Sequence, residues 1–144
     1  MHSHGNKGRK FGRERDQRKA LIKGLATSLV IQGRIETTLQ KAKEVLPYLE
    51  DLITKAKKGD LAGRRMVLSA LSTVAAAHKL VDDIAPKLGG RTSGHLRIKT
   101  TRLRVGDNAQ MAEVSFVDDI TTSAPVAEEK PKKVAAKATP KAEK

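Results

Sequence analysis

Between Arg18 and Lys43 the chain changes its hydrophobic period with no loop in between. In RKALIKGLATSLVIQ, residues Leu21, Ile22, Leu25 and Leu29 recur at helical spacing, which predicts one apolar stripe along an amphipathic helix. Lys19 and Lys23, four residues apart, lie on a solvent edge away from that stripe. Asp16 stands where the helix would be capped. Gly33 stands where it would end, because glycine enters the left-handed conformation freely. Gly24 should cost about 1 kcal/mol against alanine inside a helix, so a close neighbour is expected beside it. Arg34-Ile35-Glu36-Thr37-Thr38 then alternates and is β-branched, a short strand. Thr37 with Gln40 matches a capping box opening a second helix. A helix running straight into a strand and then a helix commits the chain to an α+β fold, with Leu25 and Leu29 expected between sheet and second helix.

The remaining elements follow from the same reasoning. Leu39, Ala42, Leu46, Leu49, Ile53 and Ala56 predict a long second helix, kinked where Pro47 removes a donor. Gly59 ends it. Asp60 caps a third helix with Leu61, Leu68 and Leu71 inward. Ser72 or Thr73 caps a fourth, carrying Val74, Ala77, Val81 and Ile84 until Pro86 stops it. After the glycine-rich loop KLGGRTSGH, Leu96–Arg104 and Met111–Val117 alternate as two strands around the turn text Gly106-Asp107-Asn108-Ala109. The expected architecture is about four helices against a small three-stranded mixed sheet, in a globular domain over residues 16–119. With only Phe11, Tyr48 and Phe116 as aromatics, its core must be Leu, Ile, Val and Ala.

Both ends differ from this domain. Residues 1–15 mix Gly, Asn, His and basic side chains without hydrophobic periodicity, and residues 120–144 are a Lys/Ala/Pro-rich tail. Neither segment buries enough to offset backbone ordering, so both are expected to be disordered alone in water. The formal net charge is +13, an argument for a polyanionic partner, usually nucleic acid. Residues 1–23 concentrate it, with Lys7, Arg9, Lys10, Arg13, Arg15, Arg18, Lys19 and Lys23 against Glu14 and Asp16. The basic start is therefore read as an arm that orders along RNA or DNA. Phe11 has two roles open, stacking on a base or anchoring the arm.

Other functions find little support. There is no cysteine, which excludes disulfides and cysteine-ligated zinc and fits a reducing compartment. No apolar run approaches the roughly 20 residues that span a bilayer, and no signal peptide is evident, so export is not expected. A phosphate-binding GxxxxGK[ST] loop, HExxH and a nucleophile elbow are all missing. Histidines at 2, 4, 78 and 95 are scattered, short of a metal set. Glu36 and Asp107 are lone carboxylates, whereas acid–base hydrolysis wants a positioned pair. No cofactor, metal, membrane or small-molecule substrate is expected, and no enzymatic activity. The basic residues carry more weight. Arg97 and Lys99 share one strand face, with Arg102 and Arg104 on the other unless a bulge re-aims them. Arg64 and Arg65 form a pair on the third helix, and Arg91 sits in the glycine-rich loop, whose amides can receive a phosphate. Lys55, Lys57 and Lys58 are read as a solvated helical face.

Five blocks in order resemble bacterial large-subunit ribosomal proteins of the L-seventeen family. They are GRKFGR at Gly8–Arg13, RKALIKGLATSLVIQGRIETTLQKAKE at Arg18–Glu44, LITKAKKGDLAGRR at Leu52–Arg65, SGHLRI at Ser93–Ile98 and RVGDNAQMAEVSFVD at Arg104–Asp118. The resemblance implies a small domain bound to large-subunit ribosomal RNA and neighbouring ribosomal proteins near the polypeptide exit region. The implied role is structural and in assembly, in the cytoplasm, without catalysis. The residues expected to bind RNA are Lys7, Arg9, Lys10, Phe11, Arg13, Arg15, Arg18, Lys19, Lys23, Arg34, Arg64, Arg65, Arg91, His95, Arg97, Lys99, Arg102 and Arg104. His95 takes a place where family members commonly carry an aromatic residue. The alternative is a nucleoid-type, non-specific DNA-binding protein. It is weakened because no recognition helix or dimer seam is evident.

Overall fold

The computed structural model describes residues 8–118. Lys7, the domain boundary at residue 119 and the tail 120–144 lie outside the described residues. In chain order the elements are α1 (Arg15–Gln32), β1 (Arg34–Thr38), α2 (Leu39–Lys57), α3 (Leu61–Ala70) and α4 (Val74–His78). The last continues through a π-helical stretch (Lys79–Ile84) into a closing turn, α5 (Ala85–Lys87), before β2 (Leu96–Leu103) and β3 (Gln110–Phe116). Four helical units thus pack against a three-stranded sheet, as expected. The strand order is β1-β3-β2, and both pairings are antiparallel, so the sheet is not mixed. Strand direction leaves no mark on side-chain alternation. It is decided by which edge of the β2–β3 hairpin receives β1.

The core lies between that sheet and α2. Ala42, Val45, Leu49, Leu52, Ile53 and Ala56 of α2 are buried with Ile35, Leu96, Ala112, Val114 and Phe116 of the strands. Pro47 sits on the exposed side of α2, where a missing N–H is tolerated within the helix. Polar groups fasten the layers: the backbone N–H of Leu96 donates to Glu50 Oε1 at 2.9 Å, and that of Ser72 to Thr27 Oγ1 at 3.0 Å.

Several local expectations are corrected. α1 begins at Arg15 after Glu14, which makes no side-chain cap bond, so Asp16 lies in the first turn and favours it only through charge. Gly33 does end the helix, at φ 79°, its N–H donating to Leu29 O at 2.8 Å. The buried face of α1 is Ala26, Thr27, Leu29 and Val30, while Ile22 and Leu25 are partly buried at its flank. The stripe is therefore rotated, because an alanine and a threonine join the core face that the leucine spacing marks by itself. Nothing crowds Gly24. Close approach is found instead at Gly63, where a Cβ would lie 2.6 Å from Lys55 O, and at Gly8, where it would lie 2.9 Å from Glu44 Oε2. Thr38, without a side-chain cap bond, precedes α2, and Thr37 is buried in β1, so the expected capping box does not form.

Asp60 does cap α3, accepting from Gly63 N–H at 2.8 Å. Val67 is the buried side chain of that helix, whereas Leu61 is 65% exposed. Thr73 caps α4. Ala76, Ala77, Leu80 and Ile84 face inward there, and Val74 points out. Pro86 does not stop the helix. A proline ring clashes with the carbonyl four residues back, and the wide π turns just before it open that space, so helical backbone continues to Lys87.

Candidate nucleic-acid interface

The described part of the arm turns back onto α1 and α2. Lys10 to Arg13 form a tight turn, with Arg13 N–H donating to Lys10 O at 3.2 Å and the Arg13 guanidinium to Phe11 O at 2.9 Å. Both central residues have positive φ, 56° at Phe11 and 61° at Gly12. For a bulky residue this conformation costs on the order of 1–3 kcal/mol, and such outliers gather where a side chain must be presented in one direction. Phe11 is half-buried. Between this turn, α1 and α2 lies a cleft of about 430 Å³, lined by Gly8, Arg9, Phe11, Arg18, Lys19, Ile22, Lys23, Glu44 and Tyr48. Arg9 approaches Glu44 at 3.7 Å. Lys23 donates to Ser69 O at 2.6 Å and so also ties α1 to α3. The Tyr48 hydroxyl donates to Ala70 O at 2.7 Å, and burial, with Asp51 adding its charge, pushes that phenol above its ordinary pKa.

The outer face of the sheet is the second basic surface. Between Thr100 and Leu103 the β2–β3 register slips, so that Leu103 pairs with Gln110, a residue of the core-facing set. This bulge moves Arg102 onto the face of Arg97 and Lys99. Arg34, Ser115 and Arg97 stand in one cross-strand row, and Glu36, Glu113 and Lys99 in the next. Arg102 reaches over β3 to Glu36 at 3.3 Å. At the hairpin tip Arg104 pairs with Asp107. That hydrogen bond, helped by the Ala109 N–H, holds the Asp107 carboxyl down to about 2 and pushes Arg104 up.

The structure sorts the sequence candidates into three groups. Lys10, Arg13, Arg15, Arg18, Lys19, Arg34, Arg65, Arg97 and Lys99 have no carboxylate within ion-pair distance among the described residues. Arg9, Arg102 and Arg104 face carboxylates but are half-exposed or more. Arg64 and Arg91 are fold contacts: Arg64 bonds His78 Nδ1 at 2.8 Å and Asp82 at 2.9 Å, and Arg91 bonds Asp118 at 3.2 Å. His95 is a correction. It is fully buried, with neither ring nitrogen hydrogen-bonded among the described residues, so it is closed to a nucleobase. Lys57 is another, since its ammonium donates to Leu88 O at 2.9 Å and to Arg91 O and fastens the glycine-rich loop. Sequence reasoning misses Glu44 and Tyr48 as cleft residues. Their spacing of four on α2 places them on one face, but only the returning arm makes that face a wall.

With this geometry, comparison with known proteins is decisive. The family described as Ribosomal protein L17 matches residues 21–117. The chain belongs to that family. Its similarity extends across nearly the whole of several bacterial relatives. The protein named large ribosomal subunit protein bL17 from Campylobacter lari is 48% identical over 116 residues, 81% of this chain and 97% of the relative. Its namesake from Campylobacter hominis is 44% identical over 116 residues, 81% and 98% of the two chains. That from Mesorhizobium japonicum is 43% identical over 120 residues, 83% of this chain and 84% of the relative.

Proposed function

We propose that this protein is a structural constituent of the large ribosomal subunit that binds ribosomal RNA through its arm, α1 and the outer face of the sheet. It supports subunit assembly near the polypeptide exit region, in the cytoplasm and alongside neighbouring ribosomal proteins. Family membership supports the ribosomal role. The observation that carries RNA binding is the clustering of cations without carboxylate partners among the described residues, Lys10, Arg13, Arg15, Arg18 and Lys19 at one end and Arg34, Arg97 and Lys99 on one face of the sheet. Phosphate neutralisation is what such a set offers, with arginine forks bonding two oxygens at once. We further propose the organisation into an arm over residues 1–15, a domain over 16–119 and a tail over 120–144.

Cosedimentation tests the reading. The protein should stay with large subunits through a moderate-salt sucrose gradient, and recovery with DNA or in the free fraction would overturn it. Filter binding across a salt series adds resolution. Replacing Arg9, Lys10 and Arg13 by alanine should flatten the log–log salt slope by roughly 0.7–0.9 for each phosphate no longer neutralised. Replacing Lys43, Lys55 and Lys58 on and after α2 removes equal charge and should change it little.

A further inference from the structure

We infer that the cleft between the arm turn, α1 and α2 is a pocket for one unpaired guanosine of RNA, a reading that rests on the RNA-binding function proposed above. Its volume of about 430 Å³ falls in the range of roughly 300–1,000 Å³ typical of small-ligand pockets. Its lining supplies three separate kinds of contact. Arg18 and Lys19 offer positive charge for a phosphate, and Ile22 an apolar floor. Phe11 offers a ring for a base, held by a strained backbone that a mere surface anchor has no need of.

The deciding residue is Glu44. A carboxylate in a cleft built only for phosphate would repel its ligand, yet Glu44 forms part of this wall. Its contact with Arg9, at 3.7 Å, is longer than a hydrogen bond, and it makes no hydrogen bond among the described residues. Oε1 faces Arg9 and Oε2 lies beside Gly8, but neither accepts a hydrogen bond among the described residues, so each keeps an acceptor site. Guanine alone among the four bases presents two adjacent donors on its pairing edge, N1–H and the 2-amino group, which match a carboxylate in a bidentate pair. Adenine and cytosine place a ring acceptor beside their amino group, and uracil has one donor between two carbonyls. An unpaired nucleotide is required, because in a duplex that edge is already used.

The protein carries one tyrosine and no tryptophan, so its tyrosine emission reports directly on Tyr48 in the cleft wall. The full-length chain would be titrated with the ribonucleotide trimers UGU, UAU, UCU and UUU, and ribosomal RNA binding measured in parallel by filter assay. UGU should saturate the Tyr48 signal at about a tenth of the concentration needed by the other three. Glu44→Gln should bring the four within about twofold of one another, with the melting temperature nearly unchanged. Phe11→Leu should weaken all four by about tenfold without altering their order. Equal binding of the four trimers, or a UGU preference that survives Glu44→Gln, would overturn the guanosine pocket. Absence of any Tyr48 response while ribosomal RNA still binds would do the same. Loss of ribosomal RNA binding by the unaltered chain would instead remove the function on which the pocket rests.

Discussion

Replacing His95 by an apolar side chain should make the protein more stable. The residue immediately precedes β2, and its carbonyl accepts from Val117 N–H at 2.9 Å, so its backbone is fixed by the sheet. The imidazole is driven inward with 0% exposure, and Nδ1 and Nε2 are both unpaired among the described residues. A neutral imidazole carries one donor and one acceptor. Burying an unsatisfied polar group costs about 1–3 kcal/mol, and substitution by an apolar group of similar shape removes that cost. Phenylalanine keeps a planar ring but is larger, and overpacking can cost about 1–3 kcal/mol. Leucine tests the same idea with less added bulk. The better of His95→Phe and His95→Leu should therefore gain about 1–3 kcal/mol in urea melts followed by circular dichroism, with m unchanged. For a domain near this size that is about 4–12 °C in Tm. If both variants lose stability, the imidazole is satisfied after all and the reasoning fails. Ribosomal RNA binding should be unaltered in either. Selective loss of it in a folded variant would restore the stacking role that burial denies.

Leu29→Ala should cost about 2–5 kcal/mol in thermal melts, while Leu25→Ala should cost less than half as much, because Leu29 is wholly buried and Leu25 only partly. Equal losses would put the core face of α1 back on the leucine stripe. Asp107 has its pKa lowered from 3.8 to about 2 in the folded state, so its support for the hairpin turn is present above about pH 4 and lost as pH falls toward 2. The amide resonances of Gly106–Ala109 should shift through that window, and Asp107→Asn should abolish the response. Lys57→Met should speed hydrogen exchange at the Arg91 amide, which donates to Leu88 O at 3.3 Å in the loop that Lys57 fastens. Unchanged exchange would return Lys57 to the solvated face.

The switch from helix to strand at Gly33 was legible in the chain because it is local. A left-handed glycine and a change of side-chain period need no distant partner to be recognised. The alternation of Ala112, Val114 and Phe116 was legible for the same reason, and so was the concentration of cations in the arm and first helix. Asp60 and Thr73, as caps within three residues of their donors, belong with them. What lay beyond the sequence depends on what packs where. An alanine and a threonine turned α1 about its axis, since small side chains are chosen by the distance to a neighbouring helix that no single-chain pattern records. The direction of β1, the slip that brings Arg102 beside Lys99, and the burial of His95 were each settled by pairing across the sheet. The candidate pocket is the clearest case. Arg9 and Glu44 stand 35 positions apart in the chain, and only the arm folding back onto α2 sets a carboxylate, two aromatic rings and four cations around one space.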